Sequence, residues 1–350
     1  MLDGDGSRLR MPRTVSNEQR FVGKKKAKAT KKTRQASRKQ RQANLKKSQA
    51  RRKKQTPADG HKKADTPQMW LSVLYHWGLA MPWDWRHGPS DSSEREHVTE
   101  MAKNLPENAM LAMDAGFVGY DFWQSLNQAG VAFVSRVGSN VRLLKNLGYV
   151  RRREDLVYVW PDKARRALQP PLVLRLVPFR GGKEDVYVVT NVLEQSRLSD
   201  SQLQEIYTHR WGVEVYYRDF KQTFDRTKLR SKCAANAVLE LDWSILGLWS
   251  MCLYTALEHQ ASGLLPRRRS ISKILRSFRQ TLETHRLPPL PQEDLCTLVR
   301  RSVQDNYHRR RSKSSRSYPR QKEKHAMGPP EILEATPAQQ LAAQSLAPAA

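Results

Sequence analysis

Apolar and polar residues alternate over short blocks along much of the chain, which is the pattern of strands with one covered face. The alternation predicts two neighbouring strands, over 68–78 and 79–89. Ser93 followed three residues later by Glu96 is the spacing of a capping box. A helix is therefore expected to start there and to run to about Asn104.

The next part of the pattern predicts a strand, a helix and a strand. The apolar run over 108–117 is expected to form a short strand that closes at Asp114. A helix to about Ala129 and a strand over 131–138 complete a β-α-β unit. Between 141 and 194, alternating segments separated by proline and glycine turns predict a β-rich block.

The longest periodic segment begins at Ser199, whose spacing to Gln202 forms a second capping box. No proline interrupts the sequence before Phe224, so the pattern predicts one long helix from about Asp200. At about 100° per residue, the apolar side chains lie along one edge and four polar side chains form a stripe beside it. The stripe consists of Tyr207, Arg210, Glu214 and Lys221.

These polar positions have a chemical interpretation and a structural one. The stripe offers one carboxylate for a metal ion and three groups for phosphate oxygens. Alternatively, Arg210 and Glu214 form an ordinary i,i+4 pair worth roughly 0.3 kcal/mol. Asp114 closes an apolar strand beside a glycine, at the end where an open α/β sheet presents chemistry. Its structural alternative is an acid at the start of a helix over 118–126.

Composition and charge limit the kinds of partner that the protein can have. The 350 residues carry 62 Lys and Arg against 34 Asp and Glu, a formal charge of +28 that predicts a polyanionic partner. The three cysteines have no CxxC spacing, which argues against a zinc site or a disulfide framework. No run approaches roughly 18 apolar residues, and the first residues lack a signal-peptide core. We therefore expect a soluble cytoplasmic protein that does not enter membranes.

Much of the charge falls in one segment of low complexity. Residues 20–63 hold 19 Lys and Arg and a single acid, Asp59. Because this segment has few apolar residues, we expect a disordered insertion, and a mobile cationic arm can bind phosphate backbones. A second cationic patch, 308–325, precedes an Ala/Pro/Gln tail that is also expected to be disordered.

The stripe spacing, Tyr-x2-Arg-x3-Glu-x6-Lys, matches the signature of the DDE transposases of the bacterial insertion-sequence-4 family. Around Glu214 the wording Y-T-H-R-W-G-V-E resembles that of the family's catalytic glutamate. Asp5, followed by Gly and Ser, resembles the first catalytic aspartate, which in the family ends a central strand; Asp3 is the alternative. Asp114 stands in the D-x-G-F setting of the second. The resemblance extends from about residue 3 to about residue 260.

The resemblance implies an α/β fold with a ribonuclease-H-like (retroviral-integrase-like) catalytic core and a β-rich insertion between the second and third acids. It implies that Asp5, Asp114 and Glu214 are catalytic and hold two Mg²⁺ ions, with Mn²⁺ as a substitute, for DNA cleavage and strand transfer. Three further side chains are implied to bind DNA phosphates. These are Tyr207, Arg210 and Lys221.

The implied partner is double-stranded DNA, both transposon ends and target, bound by a homodimer associated with the nucleoid. The expected organisation interrupts the catalytic core twice. It comprises the start of the core (1–19), the basic insertion (20–66), the core continued (67–140), the β-rich insertion (141–197), the core with the signature helix and a long buried helix (198–262), a basic C-terminal region (263–325) and the disordered tail (326–350).

Two rival hypotheses remain. Members of the family usually carry a long segment before the first aspartate, whereas four residues precede Asp5, so the chain is expected to be truncated at its N-terminus. One rival is accordingly a truncated, catalytically inactive DNA-binding remnant. The other, a ribosome- or RNA-associated basic protein, explains the charge but leaves the signature to chance. Metal-dependent nicking of DNA would separate a transposase from both.

Overall fold

A computed structural model gives the fold of residues 1–23, 66–147, 155–181, 184–284, 294–304 and 327–346. Two predictions fall outside these ranges. They are the disorder of the basic insertion beyond Gly23 and the nature of the cationic patch 308–325.

One mixed sheet with helices on both faces organises the described part of the chain, which confirms the expected α/β class. Its strands are β1 (Leu2–Arg10), β2 (Gln68–His76), β3 (Met81–Gly88), β4 (Met110–Met113), β5 (Ala132–Val137), β6 (Arg142–Lys145), β7 (Leu156–Val159), β8 (Leu172–Gly181), β9 (Glu184–Thr190) and β10 (Glu331–Glu334). They lie in the order β10-β6-β7-β8-β9-β5-β4-β1-β2-β3.

Three parallel strands stand side by side in this sheet. β1 pairs in parallel with β4, and β4 with β5, whereas β2 runs antiparallel to both β1 and β3. One expectation is wrong: Asp5 does not end its strand but lies in the middle of β1. β2 supplies partners from Leu2 to Arg10, and only on the β4 side does pairing stop, after Asp3.

The block predicted over 141–194 is indeed composed of strands, and they continue the same sheet. β9 runs antiparallel to β5, and β8, β7 and β6 then follow as antiparallel neighbours. The β-rich segment between Asp114 and Glu214 is therefore part of one continuous hydrogen-bonded array.

The expected disorder of 326–350 is wrong for residues 327–346. β10 pairs in parallel with β6, and a helix over Pro337–Leu346 follows it. Ala335 and Ala343 are buried in the main apolar cluster. The composition predicted a disordered tail because small residues form no clear hydrophobic pattern. In the folded chain these small residues pack against the edge of a core that other segments form.

Helices cover both faces of the sheet. They are α1 (Val15–Phe21), α2 (Glu94–Ala102), α3 (Tyr120–Gln128), α4 (Asp162–Arg166), α5 (Asp200–His209), α6 (Trp211–Arg218), α7 (Ala234–Ala261), α8 (Ile271–Thr284), α9 (Leu295–Arg300) and α10 (Pro337–Leu346). On one face, Val98 of α2 and Trp123 of α3 belong to the cluster around Phe133. On the other, Val213 of α6 and Leu241 of α7 join the cluster that contains residues of β1 and β2.

The segment that contains the polar stripe is two α-helices followed by a π-helical turn over Asp219–Thr223, rather than one helix. The capping box at Ser199 is confirmed, but α5 ends at His209 and α6 begins at Trp211. At the break, the Arg210 amide donates to the carbonyl of Tyr207, three residues back, at 3.2 Å. α5 packs on β5, β8 and β9, whereas α6 packs on β1 and β2. Because the sheet twists between these strands, one straight helix would not follow both surfaces.

The long apolar helix was expected to be buried, and α7 is buried along one side only. Leu241, Ile245 and Leu248 lie in the core, while Trp243 is 71% exposed. By length and hydropathy alone the helix over Ala234–Ala261 could cross a membrane. Its inner side instead packs against the same cluster as α6, so we treat it as part of the folded domain.

Candidate catalytic site

Strand register brings the first two acids together. Leu2 pairs with Leu111 and Asp3 with Ala112. The same offset carried two residues past the last pair puts Asp5 opposite Asp114, and the charge of Asp114 acts on the Asp5 carboxyl. Neighbouring strands lie about 4.8 Å apart, and side chains at paired positions point to the same face. β4 ends at Met113 while β1 continues, which leaves both carboxyl groups at a free edge between the strands.

Each aspartate is bonded to the amide of a glycine that follows it. The Asp5 Oδ1 atom accepts from the amide of Gly6 at 2.8 Å, and the Asp114 Oδ1 atom accepts from the amide of Gly116 at 2.7 Å. Asp114 thereby caps a short 3₁₀ turn over Ala115–Phe117. The helix that follows, α3, begins at Tyr120 with Gly119 as its N-cap, so Asp114 caps the 3₁₀ turn and does not start the helix expected over 118–126.

The environment of this edge changes the pKa of Asp5. Burial raises the pKa of its carboxyl to about 6, and the negative charges of Asp114 and Glu214 act in the same direction, against the Gly6 amide and Arg210. Residues far apart in the sequence thus share one electrostatic environment. Carboxylates that repel one another in this way form a site suited to a cation.

Helix α6 brings Glu214 to this edge. The hydroxyl of Tyr217 lies 2.8 Å from the carbonyl of Asp5 and 3.1 Å from that of Leu71, which ties the helix to β1 and β2. Arg210 is buried, and its Nη2 atom donates to the Glu214 Oε1 atom at 3.3 Å. The i,i+4 pair considered from the sequence is therefore present, and it holds the carboxylate of Glu214 at the margin of the site.

The other two members of the stripe differ in accessibility. Lys221 donates from Nζ to the Ser7 Oγ atom at 2.6 Å, two residues beyond Asp5 on the same side of β1. Burial lowers the pKa of Lys221, an effect that the charge of Asp5 opposes. Tyr207 is only 8% exposed, and its ring lies 5.6 Å from the guanidinium carbon of Arg210. Although more than 200 residues separate Lys221 from Asp5 in the sequence, the fold brings Lys221 to the part of β1 that carries Asp5.

Asp3, the alternative first acid, lies deeper in the sheet. It is fully buried, and neither carboxyl oxygen has a hydrogen-bond partner. Burial raises its pKa to about 8, although Arg210 and the terminal amine act in the opposite direction. A carboxyl with no exposed surface is closed to a cation from solvent, which favours Asp5 over Asp3 as the first acid.

Sequence reasoning missed three residues at this edge. Ser7, the partner of Lys221, stands in the sequence only as part of the short motif after Asp5, and an aromatic side chain such as Tyr217 reads as apolar in a helical pattern. Glu94, the first residue of α2, packs its carboxyl against the backbone at Gly6. No spacing along the chain connects Glu94 with the other acids, so tertiary structure alone could reveal it.

The three predicted acids suit a divalent cation in chemistry. Carboxylate oxygens are the hard ligands that Mg²⁺ and Mn²⁺ prefer. Burial is the main cause of the raised pKa of Asp5, and the charges of Asp114 and Glu214 add to it. Among the residues that the structure describes, no three acidic, His or Cys side chains stand at metal-binding spacing. The Glu214 carboxylate is turned to Arg210, and those of the aspartates to backbone amides, so binding requires these side chains to turn.

Comparisons with known proteins identify the family of this chain. The sequence profile of the family described as the transposase DDE domain matches residues 5–249. The matched region begins at Asp5 and includes Asp114 and Glu214. Members of this family generally use divalent metal ions.

Two individual proteins are similar to the chain. Transposase InsG for insertion sequence element IS4 of Escherichia coli strain K12 is 22% identical over 197 residues, 53% of this chain and 44% of that protein. The cryo-EM structure of a piggyBac transposase synaptic complex with hairpin DNA superposes with a TM-score of 0.45 at 14% identity, covering 91% of this chain and 60% of that one. The chain thus spans less than half the length of its curated relative.

The family profile covers well over half of the sequence and contains the acids that the fold draws to one edge of the sheet. The chain belongs to the transposase family defined by the DDE domain.

Proposed function

We propose that this chain is the catalytic part of a DNA transposase, which cuts DNA at the ends of an insertion sequence and joins those ends to a target. The main support is the register of β1 and β4, which aligns Asp5 with Asp114 at the edge that α6 supplies with Glu214. A surface ion pair would explain Arg210 and Glu214 but not the gathering of three acids from distant parts of the chain.

The fold supports the same proposal. The order β3-β2-β1-β4-β5, with β2 antiparallel and β1, β4 and β5 parallel, is the arrangement expected of a ribonuclease-H-like core. Strands β6 to β9 would then be the β-rich insertion between the second and third acids. In this interpretation the acids lie where parallel strands end, the usual place for chemistry in an open sheet.

The proposed roles follow from chemistry and position. Asp5, Asp114 and Glu214 would hold two Mg²⁺ ions, with Mn²⁺ as a substitute. When bound, such ions would activate water and neutralise charge that develops on the phosphate. Lys221 lies beside Asp5 through Ser7, and its ammonium would contact a phosphate of the bound strand.

Arg210 would have two functions. Its buried guanidinium already orients the Glu214 carboxylate, and the donors that this contact leaves free could bind a phosphate. Tyr207 packs beside it, and both residues are only 8% exposed, so a phosphate contact from either requires DNA to approach closely. We further propose a homodimer on DNA in the cytoplasm, associated with the nucleoid through DNA.

The test is metal-dependent nicking. Purified full chain should convert supercoiled plasmid to the open circular form with Mg²⁺ or Mn²⁺ and should fail to do so with EDTA. Either rival, an inactive DNA-binding remnant or an RNA-associated basic protein, predicts binding without nicking. Binding alone decides nothing, because a charge of +28 gives affinity for any nucleic acid at low salt. Absence of nicking with both metals would contradict the proposal.

A second prediction concerns the basic segment and follows from its charge. Deleting residues 24–54 removes 16 Lys and Arg, and the slope of log affinity against log salt should fall by about 0.9 for every phosphate that the protein no longer neutralises. Fluorescence anisotropy with a labelled duplex over a range of salt concentrations measures that slope. As a control at constant length, replacing the same 16 residues by Gln should reproduce the deletion. An unchanged slope in both variants would exclude the segment from DNA contact.

A further inference from the structure

We propose that Glu94 is a fourth carboxylate of the catalytic centre and binds the divalent cation together with the three acids already described. This inference rests on the proposed function, and it assigns a role to a residue outside the family's signature.

The first observation is the position of the Glu94 side chain. A Cβ atom added to Gly6 would lie 2.3 Å from the Glu94 Oε1 atom and 2.7 Å from its Cδ. Real Cβ atoms do not approach other atoms so closely, so the carboxyl occupies the space that a side chain at position 6 would need. Gly6 directly follows Asp5. Successive residues of a strand point to opposite faces, so the carboxyl of Glu94 lies on the α2 face of β1, across the backbone from the Asp5 side chain. At this point β1 has already lost its β4 neighbour, so a cation at the edge can be approached from both faces.

The second observation is that α2 is anchored to the turn that carries the second acid. Arg95 donates from Nε and Nη2 to the carbonyl of Gly116, at 3.0 and 2.8 Å. The same Gly116 donates its amide to Asp114. Since Glu94 directly precedes Arg95 at the start of the helix, this contact holds its backbone beside the Asp114 turn.

The electrostatics agree with this placement. Burial raises the pKa of Glu94 to about 7, and Asp5 and Asp114 are the next largest causes. Arg8 and Arg95 act in the opposite direction and more weakly. Glu94 would add a fourth carboxylate to this edge, and binding of hard divalent ions strengthens with the number of charged oxygen ligands.

An ordinary role for Glu94 would be interaction with the helix dipole, which favours acids in the first turn. Glu96 provides the matched control, because it lies in the same first turn of α2 but is exposed. Both residues meet the same dipole, and only Glu94 packs against Gly6. A difference between the two variants therefore reports the site and not the dipole.

The experiment is a titration of the full chain with Mn²⁺ and no other metal, measured by isothermal titration calorimetry. Glu94→Gln should weaken Mn²⁺ affinity about tenfold or more, whereas Glu96→Gln should bind as the wild type does. Thermal melting without metal should show both variants folded, since Gln has the shape of Glu.

A second variant tests the geometry independently. Gly6→Ala should push the Glu94 carboxyl away and weaken Mn²⁺ binding by a similar factor. When Glu94→Ala is already present, adding Gly6→Ala should weaken Mn²⁺ binding little further. If Glu94→Gln binds Mn²⁺ as the wild type does while Glu214→Gln does not, this inference alone is overturned. If the wild-type chain does not bind Mn²⁺, the proposed metal centre and this inference fall together.

Discussion

Glu214→Gln should lower Mg²⁺-dependent nicking by roughly a thousandfold or more while leaving the fold and the affinity for DNA intact. The amide keeps the shape of the side chain but removes the charge that would bind the cation. Lewis-acid stabilisation by a bound cation contributes several kcal/mol, and each 1.4 kcal/mol is about a factor of ten in rate. Initial rates of plasmid nicking measure the effect, and anisotropy with a labelled duplex measures binding.

The control for this variant is Glu205→Gln. Glu205 lies on α5, pairs with His209 at 3.8 Å and is 62% exposed, so its replacement removes the same charge from the neighbouring helix without touching the site. The variant should nick at the wild-type rate. If Glu214→Gln also failed to bind DNA and melted at a lower temperature, its loss of nicking would reflect misfolding and the assignment of Glu214 as a ligand would lack support.

Gly212→Ala should destabilise the protein, although alanine is the better helix former. A Cβ atom at position 212 would lie 2.9 Å from the Cε1 atom of Tyr75, whose ring is buried beneath α6. Overpacking of this kind costs about 1–3 kcal/mol, more than the roughly 0.5–1 kcal/mol that alanine contributes in a helix. Gly212→Leu should cost about 3 kcal/mol or more and should also slow nicking, because it moves α6 and with it Glu214.

Gly247 is the matched control on a second helix. It lies within α7, and an added Cβ atom would meet no atom within 4 Å. Gly247→Ala should therefore stabilise the protein by about 0.5–1 kcal/mol. The two alanine variants should shift the midpoint of urea unfolding in opposite directions. A Gly212→Ala variant as stable as Gly247→Ala would show that α6 does not press on β2 as closely as described.

The helices of this protein show what local sequence patterns can and cannot predict. The capping boxes at Ser93 and Ser199 depend on contacts three residues apart, and in both places the serine side chain accepts the amide that the spacing predicts. The break at Arg210 and the exposed side of α7 depend instead on which surfaces the helices meet. The apolar content of α7 predicts that it packs against the core, but it does not predict that one side of the helix is exposed.

The site divides in the same way. The sequence by itself determined the chemistry available, because residue type and short spacing are local properties. This chemistry consists of three acids in recognisable settings, the polar stripe between Tyr207 and Lys221, and a positive charge suited to DNA. Tertiary structure alone decided that β1 pairs with β4 and that the charge of Asp114 reaches Asp5, that Asp3 is buried, and that Glu94 packs at Gly6. Those facts depend on strand pairing and helix docking between residues far apart in the chain, and no periodicity along the sequence encodes such contacts.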